Sequence, residues 1–339
     1  MAADKNKHRI KIGIHFAVLG LFLIFAFAIA IIVLKLFNNK QKDDMSVADI
    51  KKNVEMITSV TKEKIDKNKA SDSESLDNDR SLEIINAKGS TLKKRIRTPD
   101  GYKRNKADKD SLTSFLRNYP LKKDGQPVLL YDGEKKGNQD AHAAVFKLPI
   151  ENENLQQCAD SVMRVYAEYL WKTNQKEKIS FHFVDGFKAD YVKWRDGSRI
   201  NVNDTGSSWV SGGTYDDSYE NFKKYLRIVF AYASTLSMEG ESNKIKLSQI
   251  DVGDIFLTPG SPGHVVMVVD ICENDDGKKA FLLGQGYMPA QEFHLLKNTG
   301  HEQDPWYYED EMEYPFVTPE HTFKKGSLRR PVYLLGGNR

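Results

Sequence analysis

Cysteine is nearly absent. Only Cys158 and Cys272 occur among 339 residues. Two cysteines exclude a disulfide framework; a single bridge between them, or a reactive thiol beside an inert one, both stay open. Charge of one sign is also missing. The 50 basic and 47 acidic residues leave a formal net charge of +3, so no global field draws nucleic acid to the chain. No internal repeat is visible. His264, His294 and His301 match no usual zinc spacing and lack close acidic or cysteine partners. Gly284-x-Gly286 lacks the Lys-Ser/Thr and the following helix of a phosphate loop. Neither metal nor cofactor is expected.

The N-terminus carries the one long apolar run. Residues 1–11 are polar and basic, with Lys5, Lys7, His8, Arg9 and Lys11. Ile12 to about Leu34 is apolar apart from His15 and small residues. About 23 residues rising 1.5 Å each span roughly 30 Å of hydrocarbon. A transmembrane anchor is predicted over 12–36. A cleaved signal peptide competes, but Ala26-Phe27-Ala28 is a poor cleavage site because more apolar residues follow it. The basic start favours an N-terminus in the cytoplasm and a body outside it. Residues 37–95 are charged, Ser-rich and poor in aromatics, and read as a flexible stalk. The globular domain is predicted over 96–339.

Within that domain the patterns mix strands and helices. Strands are predicted at 127–131, 141–150, 181–183, 253–256, 264–270, 281–283 and 332–334. A short helix starts near Ser111. A longer helix is predicted from about Leu155 to Trp171, with Asn154 as its cap and Gln157 in the capping-box position. Cys158 lies four before Val162, on the core side. Arg164 and Glu168 are four apart and suited to pair. Tyr219 to Leu236 reads as an amphipathic helix with Phe222, Leu226, Val229 and Phe230 inward. Trp194 and Trp209 fall in a looped aromatic region.

Three residues carry potential chemistry. Cys158 stands at a helix start, His264 at a strand start after Pro262-Gly263, and Gln285 at the end of the next strand. A helix N-terminus and a nearby imidazole both lower a thiol pKa. The imidazole accepts the thiol proton and later returns it to a leaving group, and a third polar group fixes its tautomer. The bland alternatives are a core cysteine, a histidine satisfied by backbone and a turn glutamine. Gln139, Asp140 and His142 sit together near a strand start, either lining the same cleft or making ordinary loop hydrogen bonds.

Gln156-Gln157-Cys158-Ala159-Asp160, with Arg164 and Ala167-Glu168-Tyr169-Leu170, resembles the signature of the bacterial family called domain of unknown function 4846. So do Pro120-Leu121-Lys122, Leu130-Tyr131-Asp132-Gly133, Asn138-Gln139, His142, Gly260-Ser261-Pro262-Gly263-His264 and Gln285-x-Tyr287-Met288-Pro289-Ala290-Gln291. The resemblance covers about residues 96–335. It implies a bacterial, mostly Bacteroidetes-type envelope protein and names no activity. Gly286 departs from the pattern, which would have a small residue and serine after Gln285. A more distant similarity of layout is to the NlpC-type and CHAP cysteine hydrolases, papain-like enzymes. Carried over, it implies Cys158 as nucleophile, His264 as base and Gln285 as orienter, with an insertion over roughly 171–250.

The expectation is therefore an α+β domain, a central helix packed on an antiparallel sheet, held by a single-pass inner-membrane helix on the periplasmic side. Its expected activity is a cysteine hydrolase of cell-wall peptide or another envelope amide. The alternative is a non-catalytic protein binding glycan, peptide or protein in the same cleft. Gln139, His142, Gln157, Asp160, Arg164, Tyr287 and Gln291 are the candidate substrate contacts, and peptidoglycan or an envelope protein the candidate partner.

Overall fold

The structure, a computed structural model, describes residues 83–334. All of them lie within one unit, Leu82–Arg339. The expected anchor over 12–36, the basic segment 1–11 and the stalk up to residue 82 fall outside the described residues. Among the described residues no helix is long and apolar enough to cross a membrane.

A nine-stranded sheet organises the domain. Its order is β2 (His142–Val145), β11 (His294–Leu296), β10 (Lys279–Gln285), β9 (His264–Asn274), β8 (Ile255–Thr258), β15 (Leu328–Pro331) and β7 (Ser242–Lys244). β1 (Tyr102–Lys103) adds to β9, and β12 (Tyr307–Tyr308) to β10. All these pairs are antiparallel. β9 is buried from His264 to Cys272. Its run of valines suits a central strand covered on both faces.

One face is covered by the helix α3 (Cys158–Lys172), which packs on β9 and β10. It is buried from Cys158 to Leu170 on every side, as expected of a central helix. Two short helices precede it, α1 (Leu92–Arg95) and α2 (Leu112–Arg117). The α+β class and the central helix on an antiparallel sheet match the sequence reading. The other face is covered by the hairpin of β13 (Phe316–Val317) and β14 (Thr322–Phe323). Phe256 of β8 meets Phe316 at 4.7 Å and Phe323 at 5.9 Å between ring centroids.

Between α3 and β8 the chain adds a second group of elements. It contains the hairpins β3 (Ser180–His182) with β4 (Lys188–Asp190) and β5 (Ser198–Asn203) with β6 (Gly206–Ser211). It also holds α4 (Tyr191–Arg195), α5 (Tyr219–Tyr232) and α6 (Thr235–Gly240). α5 buries Phe222, Leu226, Val229 and Phe230 as predicted.

Several local expectations are corrected. α5 stops at Tyr232 because Ser234 starts a new helix, its hydroxyl accepting from the Leu236 N–H at 3.1 Å. Trp194 lies in α4 and Trp209 in β6, not in loops. Residues 127–131 form no strand; Leu129 and Leu130 make isolated bridges to Lys135 and Gln291. The closing strand is Leu328–Pro331, and Val332–Leu334 is a 3-10 turn. There the Tyr333 ring turns inward, its centroid 4.9 Å from that of Tyr166.

A buried charge cluster ties β9 to the N-terminal segment. Asp270, fully buried, accepts from Arg104 Nε at 2.6 Å and Arg117 Nε at 2.7 Å.

Candidate thiol–imidazole–amide site

Register decides where Gln285 points. β10 pairs with β9 as Phe281↔Ile271 and Leu282↔Asp270, then shifts by one to Leu283↔Val268 and Gly284↔Met267. A regular ladder would place Gln285 opposite Met267. The bulge places it next after Gly284↔Met267, opposite Val266, and His264 is two residues further along that strand. Side chains alternate faces, so a one-residue slip moves a side chain to the other face. The bulge thus puts Gln285 on the same face as His264, as its diagonal neighbour. Gln285 Oε1 and His264 Nε2 are 2.8 Å apart. Both side chains are buried, at 0% and 3% exposure.

The helix start takes over where β10 leaves β9. The Cys158 thiol donates to the Gly263 carbonyl at 4.0 Å. The N–H groups of Ala159, Cys158 and Val265 also face the sulfur. Cys158 therefore sits against the two residues that flank His264. No hydrogen bond joins its sulfur to the imidazole among the described residues. Tyr287 stands against the imidazole: its ring meets His264 at 4.9 Å edge-on, and burial, then the Glu320 carboxylate, raise its hydroxyl pKa.

The fit at this corner is close. A Cβ on Gly286 would lie 2.2 Å from Ser161 Oγ and 3.1 Å from the Gln157 carbonyl. Glycine at this position lets β10 exit against the first turn of α3, which accounts for the missing serine.

Burial and neighbouring charges keep the thiol and the imidazole neutral at rest. Burial, then the Asp160 carboxylate, push the Cys158 thiol up to about 11, against the opposing pull of the facing N–H groups. Burial lowers the His264 pKa to about 4, with Gln285 opposing. Asp160 itself is pushed up to about 8 by burial. Cys158 and Cys272 are both free thiols, so the single bridge left open by sequence does not form.

The remaining candidates separate into near and far groups. Asp160 caps the helix start, its Oδ2 accepting from the Gln157 N–H at 3.0 Å while Oδ1 is buried without a partner. The predicted Asn154 cap is corrected: Gln157 is the cap residue. Asn154 Oδ1 instead accepts from the Ala290 N–H at 2.7 Å and from Gln157 Nε2 at 3.2 Å. Gln157 is thus turned to Asn154. Arg164, fully buried, binds Glu168 at 2.9 Å and the Tyr219 hydroxyl at 3.0 Å. Gln139 staples its own loop, bonding the Val128 N–H and carbonyl at 3.0 Å each and the Lys136 carbonyl at 2.7 Å. His142 reaches the Gln126 carbonyl at 3.2 Å, and its ring lies 6.2 Å from that of His294. Gln291, buried beside Leu130, has an unpartnered Oε1.

Sequence reading missed three residues around the imidazole and weighed a fourth, His294, only as a zinc ligand. His321 stands 4.9 Å from the His264 ring and bonds Thr258 Oγ1 at 3.0 Å. Glu320 Oε2 accepts from Gln285 Nε2 at 2.7 Å. His294 Nε2 lies 3.3 Å from the same Gln285 nitrogen. Lys136 bonds Glu320 and lies 3.5 Å from His294 Nε2. Only His294 carried a signal, since it pairs with Gln285 across β10 and β11. No cluster of metal-ligating side chains occurs among the described residues.

Residues 92–330 match the family model described as Domain of unknown function (4846). No curated protein and no solved structure matches the chain. The chain belongs to the domain of unknown function 4846 family.

Proposed function

We propose that this family member is a single-pass envelope protein, its domain held on the periplasmic side of the inner membrane. We further propose a papain-like cysteine hydrolase of cell-wall peptide or another envelope amide. The observation that carries the reading is the His264 Nε2–Gln285 Oε1 contact of 2.8 Å, made beside a helix-start cysteine. In this mechanism Cys158 attacks the carbonyl carbon as its proton passes to His264. The imidazolium protonates the departing amine, and water then cleaves the thioester. Backbone N–H groups at the helix start receive the oxyanion. With thiol and imidazole both neutral at rest, proton transfer accompanies attack rather than preceding it.

A second reading has its own support. Cys158 is 6% exposed and no hydrogen bond joins it to His264 among the described residues. Both facts suit a binding protein that holds glycan, peptide or protein in the same cleft. The test is incubation of the full-length chain in detergent with purified muropeptides, followed by mass spectrometry. Hydrolysis predicts new amine termini that vanish in Cys158→Ala. Binding predicts retained muropeptide capture by Cys158→Ala with no cleavage by either protein. Cleavage that persists in Cys158→Ala sinks the thiol mechanism.

A further inference from the structure

Beyond the imidazole–amide pair lies a second layer of buried polar groups. Glu320 sits in the turn between β13 and β14, where the Thr318 N–H bonds the His321 carbonyl at 2.9 Å. The hairpin tip thereby holds a carboxylate over Gln285. The side chains of Lys136 and Glu320 are 6% and 8% exposed. Asn138 Nδ2 donates to the other Glu320 oxygen at 3.3 Å.

An amide has two distinct ends, and only chemistry tells which end faces which neighbour. The Gln285 end toward Glu320 is also near His294 Nε2. His294 Nδ1 lies 2.9 Å from the Glu292 carbonyl, an acceptor, so Nδ1 carries the His294 proton and Nε2 is a bare lone pair. Burial alone would raise the Glu320 pKa, but the hydrogen bond and charge of the Lys136 ammonium oppose it and keep Glu320 a carboxylate. Two acceptors therefore face one end of Gln285, and that end must be the NH2. The carbonyl end is left for His264. A carbonyl only accepts, so His264 Nε2 must donate. Its proton is fixed on Nε2, and Nδ1 is the free base.

We propose that Glu320, anchored by Lys136, is a positioning residue that sets the His264 tautomer by orienting the Gln285 amide. The tautomer assignment stands on the hydrogen-bond geometry and the Lys136–Glu320 ion pair; its consequence for a nucleophile rests on the hydrolase reading above. A thiol needs a bare imidazole nitrogen to receive its proton. A flipped Gln285 would present NH2 to Nε2 and move the imidazole proton to Nδ1.

The test is a long-range 1H–15N correlation spectrum of the full-length chain with 15N-histidine, recorded between pH 5 and 7. The wild-type protein is expected to show His264 entirely as the Nε2–H form. In Glu320→Gln the side chain donates as readily as it accepts, so Gln285 flips in part. The Nδ1–H form is then expected to reach about a tenth or more. Glu320→Asp keeps the charge and is expected to retain the wild-type tautomer. If Glu320→Gln does not fold, Lys136→Met carries the test. Without the ammonium the Glu320 carboxylate takes up a proton more readily, and the Nδ1–H form should grow as pH falls from 7 to 5. A wild-type protein already in the Nδ1–H form overturns the proposal. So does an unchanged Nε2–H spectrum in folded Glu320→Gln or, failing that, in Lys136→Met. These outcomes are independent of muropeptide cleavage, so the hydrolase reading and this one fail separately.

Discussion

Iodoacetamide labelling of Cys158 should betray a protonated thiol. The thiol is driven from 9.0 to about 11, chiefly by burial. Only the thiolate reacts. Two pKa units correspond to about 2.7 kcal/mol, or about 100-fold less thiolate at pH 7.5 than an ordinary cysteine holds. Burial of the sulfur also slows reagent access, but that factor is the same at every pH. The shape of the profile is therefore the diagnostic quantity. The measurement follows alkylation in the full-length chain by peptide mass spectrometry, which separates Cys158 from the deeply buried Cys272. The rate is expected to climb about tenfold per pH unit through pH 10 without a plateau. A plateau reached below pH 8 would mean a resting thiolate–imidazolium pair. That result would refute the neutral-pair reasoning, including the assignment of His264 as uncharged above about pH 4.

Three further outcomes follow from the same packing and charges. Asp160 has its folded pKa raised to about 8 by burial. Its stabilising contribution is present at low pH and is lost as pH rises through 8. Asp160→Asn should therefore raise the melting temperature at pH 9 but not at pH 4, and shift the Cys158 profile to lower pH; equal effects at both pH values contradict this. Gly286→Ala drives a Cβ into Ser161 and should cost about 1–3 kcal/mol in urea unfolding. Ser161→Gly in the same chain should recover part of that loss, and a neutral Gly286→Ala argues against the close approach. Arg117→Met leaves the buried Asp270 with Arg104 alone and should cost about 3–5 kcal/mol; a loss under 1 kcal/mol would show that Arg104 suffices.

Local chemistry was legible wherever neighbours in sequence carry it. The spacing of Val162, Val165, Tyr166 and Tyr169 marks the central helix. Arg164 and Glu168 are one turn apart, and they pair as that spacing predicts. His264 begins its strand where Pro262-Gly263 ends the turn. Boundaries were less legible. The α3 cap moved from Asn154 to Gln157 because Asn154 is claimed by the Ala290 N–H, 136 residues away. Val332 to Leu334 looks like a strand by composition, yet Tyr333 is drawn into the aromatic cluster of Tyr166 and Phe181.

By itself, then, the sequence determined the family, the α+β class, the central helix and the two strands around His264. Those depend on periodicity and turn chemistry, which are local. Only the tertiary structure decided which face of the sheet His264 and Gln285 share. A bulge beside Leu282 and Leu283 sets that parity, and composition does not locate it. Tertiary structure also brought Lys136 and Glu320, 184 residues apart, into one buried ion pair above Gln285. It set the Cys158 sulfur against the backbone on either side of His264 without a hydrogen bond to the ring. Each of these contacts joins distant parts of the chain. Their geometry follows from strand register and hairpin docking, which no short stretch of residues encodes.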